Sequence, residues 1–240
     1  MATPLDRSDF PDCPGCPYAQ HGPWHVCVTC AAETLRSIQH PCPICSQEID
    51  QGSCFNNLCT GKAGRRHLER IEAIALHTDP LDRVIRRFKY EKKRGWALIF
   101  ARLLIGHLNN SWRPNDVDLI IANPGHPGRE HNAEVIRRAA LQDFHDRWPF
   151  DDPDSPTLVK EEETVQSAGQ MFDVKRRAAT EHASALRRQH PERITGSRVI
   201  LYDDICTTGL QLNGVARRLH EEWGAVSVVG VVLARQPWGY

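Results

Sequence analysis

An excess of either sign of charge is missing from this chain. Thirty Lys and Arg balance thirty Asp and Glu, so the formal net charge is zero. No global field therefore draws the 240-residue protein to nucleic acid or to an anionic membrane, and such binding would need a local patch. Long apolar runs are missing too. The longest, residues 226–234, is far short of the roughly 20 residues a membrane-spanning helix needs. The first residues, MATPLDRSDFPDC, carry neither a basic start nor an apolar segment of the secretory kind. A cytoplasmic protein without membrane partners is the expectation. Large apolar residues are scarce in the first 60 positions, so that region cannot fold on a hydrophobic core alone. Apolar residues make up 40% and charged residues 25% of the whole, ordinary for a globular chain.

What the first region has instead is cysteine. Eight of the nine cysteines precede Gly61, and the ninth is Cys206. They fall in four pairs: Cys13 and Cys16, Cys27 and Cys30, Cys42 and Cys45, Cys54 and Cys59. Two thiolates a few residues apart can reach one zinc ion from a tight knuckle, and two such pairs complete a tetrahedron. Sequential grouping gives one site from Cys13, Cys16, Cys27 and Cys30 and a second from Cys42, Cys45, Cys54 and Cys59. An interleaved cross-brace is the alternative. A disulfide framework fits poorly with a chain lacking an export signal, and one CxxC would suffice for redox work. With eight thiols available, His21, His25 and His40 are expected to be solvated. The GKAGRR stretch at residues 61–66 reads as a linker. It divides a cysteine-rich double zinc-binding region, residues 1–62, from a second domain, residues 66–240.

The second domain alternates strands and helices. Residues 70–77 (RIEAIALH) have strand length. Pro80 opens a helix, in which Leu81, Val84, Ile85 and Phe88 recur at helical spacing and which Lys89 and Tyr90 end. A helix is expected over 95–108, with Trp96, Ile99, Phe100, Leu103, Leu104 and His107 on one side. Residues 117–122 form a buried strand, and 130–144 a helix. Residues 157–160 make a short strand, 161–170 a polar loop, and 172–188 one or two helical turns. A strand over 199–202, a helix over 210–223 stopped by Gly224, and a valine-rich strand over 226–233 complete the chain. Apolar strands alternating with amphipathic helices argue for an α/β fold with a parallel sheet covered on both faces. In such sheets ligands bind beyond the carboxyl ends of the strands.

One such end carries unusual chemistry. VILYDDICTTGLQL, residues 199–212, places Asp203 and Asp204 after an apolar strand and Thr207, Thr208 and Gly209 before a helix. Backbone N–H groups of that turn and of the helix start can cradle an anion. Gly209 would let the backbone come close. Carboxylates beside a phosphate cradle would repel the phosphate unless they address something else, such as sugar hydroxyls or a magnesium ion. A ribose 5-phosphate satisfies both halves. The alternative is a helix N-cap with an acidic first turn.

The segment resembles the phosphoribosyl pyrophosphate (PRPP) motif of type I phosphoribosyltransferases. The wider chain is similar to the ComF family of competence and DNA-utilisation proteins: residues 82–104 resemble its stretch around a Lys-Tyr pair, 164–179 its Arg-rich loop and 224–235 its last strand. The resemblance implies a double zinc ribbon followed by a type I phosphoribosyltransferase-like domain. It implies that Asp203 and Asp204 meet the ribose hydroxyls, and that Thr207, Thr208 and Gly209, with the backbone of Leu210 and Gln211, hold the 5-phosphate. Lys89 would reach a phosphate oxygen, Asn123 to Arg129 would form the pyrophosphate loop, and magnesium would arrive with PRPP. Tyr202, Cys206 and Gln211 depart from the family pattern. The 123–134 stretch keeps Arg129 and Asn132 but carries less positive charge than the family's, although a departing pyrophosphate needs cations. Three functions follow: phosphoribosyl transfer to an acceptor, PRPP sensing without turnover, or an adaptor that binds single-stranded DNA or a helicase-like, DNA-processing partner. Arg176 and Arg177 could close over a ligand or lie exposed. The basic run from Arg83 to Arg94 could track a nucleic-acid backbone or be a solvated face. Cys206 is either a small packed residue or a redox-sensitive thiol.

Overall fold

The computed structural model describes residues 34–49, 52–91, 95–125, 131–164 and 172–237. Cys13, Cys16, Cys27, Cys30 and Arg129 lie outside the described residues. In chain order the elements are β1 (Ile71–Leu76), α1 (Asp79–Tyr90), α2 (Trp96–Ser111), β2 (Leu119–Ala122), α3 (His131–Gln142), β3 (Leu158–Lys160), α4 (Phe172–Ser184), β4 (Leu186–Arg188), α5 (Pro191–Ile194), β5 (Arg198–Cys206), α6 (Leu210–Arg217) and β6 (Ser227–Arg235).

β1, β2, β5 and β6 form one parallel sheet in the order β1-β6-β5-β2, and β3 pairs antiparallel with β4. Successive side chains of a strand point to opposite faces, and here both faces are apolar. Ile120, Ile200, Tyr202, Val231 and Leu233 join the core built with α1, α2 and α3. Leu119, Ile121, Val199, Leu201 and Val228 join the core built with α6 and the turn after it. This is the mixed α/β arrangement expected from the apolar strands.

The four residues of α1 expected to face the core, Leu81, Val84, Ile85 and Phe88, are all buried. α2 differs from expectation. Ala97, Leu98, Ala101 and Ile105 are buried as well as Phe100, Leu103 and Leu104, so the helix is covered nearly all round rather than on one side. α4 is thirteen residues long where one or two turns were expected. Its buried Ala179 and Ala183 lie against α6, and a Cβ on Gly214 of α6 would stand 3.2 Å from the Ala179 carbonyl oxygen. The final helix changes pitch: Arg218–Glu222 is a π turn, closed by the Trp223 N–H on the Arg218 oxygen at 3.0 Å. Gly224, at φ +77°, ends it as expected.

β5 also runs further than its apolar residues suggest. The strand includes Asp203 and Asp204 and continues to Cys206, because β6 pairs with it as far as Arg235. β2 stops earlier, at Ala122 opposite Tyr202. The acids therefore stand in a strand that has a neighbour on the β6 side and has passed the end of its neighbour on the other.

The free edge of β1 is covered by residues 34–49. The Ile71 N–H bonds the Ile44 oxygen at 2.7 Å, and the Leu76 N–H bonds the Arg36 oxygen at 2.7 Å. The Ser46 hydroxyl donates to the Ile71 oxygen at 2.8 Å and accepts from the Ala73 N–H at 3.2 Å. The second cysteine quartet is thereby fastened to the sheet edge.

Candidate functional site

At the carboxyl end of β5 the space beyond β2 is filled by polar side chains. Asp203 accepts from Asn123 Nδ2 through Oδ2 at 2.9 Å. Its Oδ1 accepts from Asn132 Nδ2 and from the Asp204 N–H, each at 2.9 Å. Asn123, the first residue after β2, is held by its own N–H on the Tyr202 oxygen at 2.7 Å. Its side-chain oxygen accepts from His182 Nε2 at 3.0 Å, since the amide nitrogen already serves Asp203. Asn132 Oδ1 is buried and has no hydrogen-bond partner among the described residues. Asp204 pairs instead with Lys89 from the last turn of α1.

These contacts set the charges. Burial and the neighbouring Asp204 push the Asp203 carboxyl up to about 6, against the opposing pull of Asn123, Lys89 and Asn132. Burial works against a charged Lys89, but Asp204 outweighs it and the ammonium is held above its usual value. Burial and both carboxylates keep the Tyr202 phenol neutral, and its hydroxyl has no partner among the described residues. Burial likewise raises the Cys206 thiol to about 11, which leaves little thiolate and favours the packed role over the redox one.

The turn after β5 is tightly constrained. Gly209 sits at φ +79°, and a Cβ there would lie 2.8 Å from Ile71 Cδ1 and 3.1 Å from Leu58 Cδ2. Glycine is thus required by backbone and by packing alike. α6 begins at Leu210 with no side-chain cap, and the nearest hydroxyl contact is Thr208 Oγ1 to the Leu210 N–H at 3.4 Å. The N-cap alternative for Asp203 and Asp204 therefore fails: both acids lie in the strand, and their bonds go elsewhere.

Two adjoining cavities result. A small one of about 40 Å³ is lined by Thr207, Thr208, Gly209, Leu210 and Gln211, with Lys175 of α4. A larger cleft of about 580 Å³ is lined by Lys89, Asp203, Asp204, Thr207 and Gln211 among others. The residues expected at the site are thus brought together, apart from Arg129, which lies outside the described residues. Asn123, which opens the stretch expected to form the pyrophosphate loop, lines the same cleft, and sequence reasoning missed Lys160, Lys175, His131 and His182 there. Asn123 was legible because it follows a strand parallel to β5 and leaves the sheet at the same end. Arg176 and Arg177 are exposed, with Arg176 3.8 Å from Asp173. On α1, Arg83 and Arg86 are exposed, and Arg86 pairs with Asp82 at 2.6 Å.

The second centre is sulfur-lined. The Sγ atoms of Cys42, Cys45, Cys54 and Cys59 lie within 4.8 Å of one another, with Cys42–Cys59 at 3.8 Å and Cys45–Cys54 at 3.6 Å. Zinc–sulfur bonds of about 2.3 Å in a tetrahedron place sulfurs about 3.8 Å apart, so the quartet fits one zinc ion. This is the sequential grouping for the second quartet. His40 is exposed and outside the cluster, as expected. The knuckle is shaped by the Cys42 N–H on the Gln47 oxygen and the Ser46 N–H on the Cys42 oxygen. Burial pushes the half-buried Cys54 thiol up to about 11 and Cys59 higher still, whereas at Cys42 burial is outweighed by backbone hydrogen bonds from Ile44 and Cys45, which bring that thiol down. A bound cation would favour the thiolate form of these ligands.

Compared with protein-family models and with curated proteins, the chain matches none. Among the described residues no helix is long and apolar enough to cross a membrane. What stands is a mixed α/β protein with a four-stranded parallel sheet, a cysteine quartet able to hold one zinc ion, and a polar cleft at the strand ends.

Proposed function

We propose that this protein binds PRPP or a related ribose 5-phosphate at the end of β5, on a type I phosphoribosyltransferase-like domain of ComF kind. The observation that carries the proposal is the shared cleft. Asp203 and Asp204 border it beside the uncapped start of α6 and the small cavity of Thr207–Gln211, with Lys175 across from that turn. The 5-phosphate would occupy the small cavity, receiving first-turn N–H groups, threonine hydroxyls and the Lys175 ammonium. The ribose diol would donate to the two carboxylates, whose oxygens retain lone pairs beyond those used by Asn123, Asn132 and Lys89. Magnesium would travel with the diphosphate. The cleft volume lies within the roughly 300–1,000 Å³ of small-molecule sites.

Transfer of the phosphoribosyl group to an acceptor is the second reading. It is favoured by the room that the cleft leaves beyond a ribose phosphate. Phosphorus NMR separates the two. Selective broadening of the ribose 5-phosphate resonance by the parent, lost in a Thr207→Val/Thr208→Val variant, is expected for binding. Acceptor-dependent release of free pyrophosphate would establish transfer. No broadening of ribose 5-phosphate or PRPP would refute both.

A further inference from the structure

Arg235, the last residue of β6, is fully buried and has no carboxylate partner within ion-pair distance among the described residues. Its guanidinium is satisfied by carbonyls and one sulfur. Nε donates to the Cys45 oxygen at 2.8 Å, and Nη1 donates to the oxygens of Cys206, at 2.8 Å, and Thr207. Nη2 lies 3.9 Å from Cys45 Sγ. One side chain thus touches a ligand of the cysteine quartet and the turn that enters α6. A buried cation without a counter-ion is costly. A divalent ion held by four thiolates carries a net charge of minus two, and it would stand where that counter-ion is needed. A second contact joins the same two places independently. Leu58, between Cys54 and Cys59, packs against Gly209, where a Cβ would approach its Cδ2 to 3.1 Å.

We propose that Arg235 is the counter-cation of the tetrathiolate metal centre and that the same guanidinium fixes the turn at Cys206–Gly209, so that metal loading controls the shape of the anion-binding turn. This deepens the ribose-phosphate reading. Neither readout below uses that ligand, so the two can fail separately.

The test uses the full zinc-loaded chain, with Arg235→Met and Arg235→Lys variants. Each is challenged with a chelator while alkylation of Cys42, Cys45, Cys54 and Cys59 is followed peptide by peptide by mass spectrometry. Loss of a group that supports a metal ligand costs about 10–100-fold in metal retention, and Arg235→Met is expected to expose the four thiols faster by that factor. Arg235→Lys keeps the charge and is expected to fall between Met and the parent. A folded Arg235→Met variant within twofold of the parent would overturn the counter-ion role. The second readout needs no variant. Stripping metal from the parent is expected to speed amide exchange at residues 206–210 by at least tenfold, and unchanged exchange there would overturn the coupling. If Arg235→Met fails to fold, the Lys variant and the parent decide the matter alone.

Discussion

Replacing Gly209 with alanine attacks the turn at one atom. At φ +79° any residue with a Cβ pays about 1–2 kcal/mol for the left-handed conformation. The new methyl would also sit 2.8 Å from Ile71 Cδ1 and 3.1 Å from Leu58 Cδ2. Both are terminal methyls, but both side chains are buried, so the core must shift, at about 1–3 kcal/mol. The sum is about 2–5 kcal/mol, a large share of the roughly 5–15 kcal/mol that holds a domain folded. Gly196 supplies the control, for it has the same φ of +79° and nothing within 4 Å of a Cβ. Gly196→Ala should cost only the backbone part, and the change in unfolded-chain entropy is common to both variants. Urea unfolding of the parent and the two variants measures the difference. If Gly209→Ala is no more destabilising than Gly196→Ala, the packing of the turn against Ile71 and Leu58 is wrong.

Lys89→Met should destabilise the fold by about 1–3 kcal/mol, less than a fully buried pair because 23% of Lys89 and 13% of Asp204 remain exposed. Adding Asp204→Asn should recover part of the loss in a double-mutant cycle, and strict additivity would deny the pairing. Asp203 should titrate near 6 by carboxyl carbon NMR rather than near its ordinary 3.8. Because the folded value is raised, the stability it contributes is complete below about 3.8 and is lost as pH rises through 6. A midpoint below 4.5 would contradict the burial and the nearness of Asp204. Cys45→Ser should remove one zinc ion per chain by elemental mass spectrometry, and undiminished zinc content would place the metal elsewhere.

Apolar pattern was legible where burial is two-sided. The valines of β6 and the Leu81, Val84, Ile85 and Phe88 stripe of α1 announce themselves, because nothing but a covered sheet and a half-buried helix accommodates them. β5 was read short because acids disfavour strands, yet the β6 ladder carries Asp203 and Cys206 with it. α4 was read as a few turns because its buried stripe is alanine and His182, too weak a pattern to stand out. At the site, Asp203, Asp204 and the Thr207–Gly209 turn were visible as neighbours in sequence. Lys160 and His182 come to the cleft from two other segments, which only topology unites. Arg235 was hidden for a different reason. An arginine closing an apolar strand looks like a solvated end, and its burial depends on carbonyls and a sulfur up to 190 residues away.

The most direct test is calorimetric titration of the zinc-loaded protein with PRPP and magnesium, beside an Asp203→Asn/Asp204→Asn double variant. The account predicts saturable binding by the parent and at least tenfold weaker binding by the variant, which exchanges two acceptor-only groups for amides. Absence of binding by a folded parent, or equal binding by both proteins, would contradict a ribose-phosphate site at the end of β5.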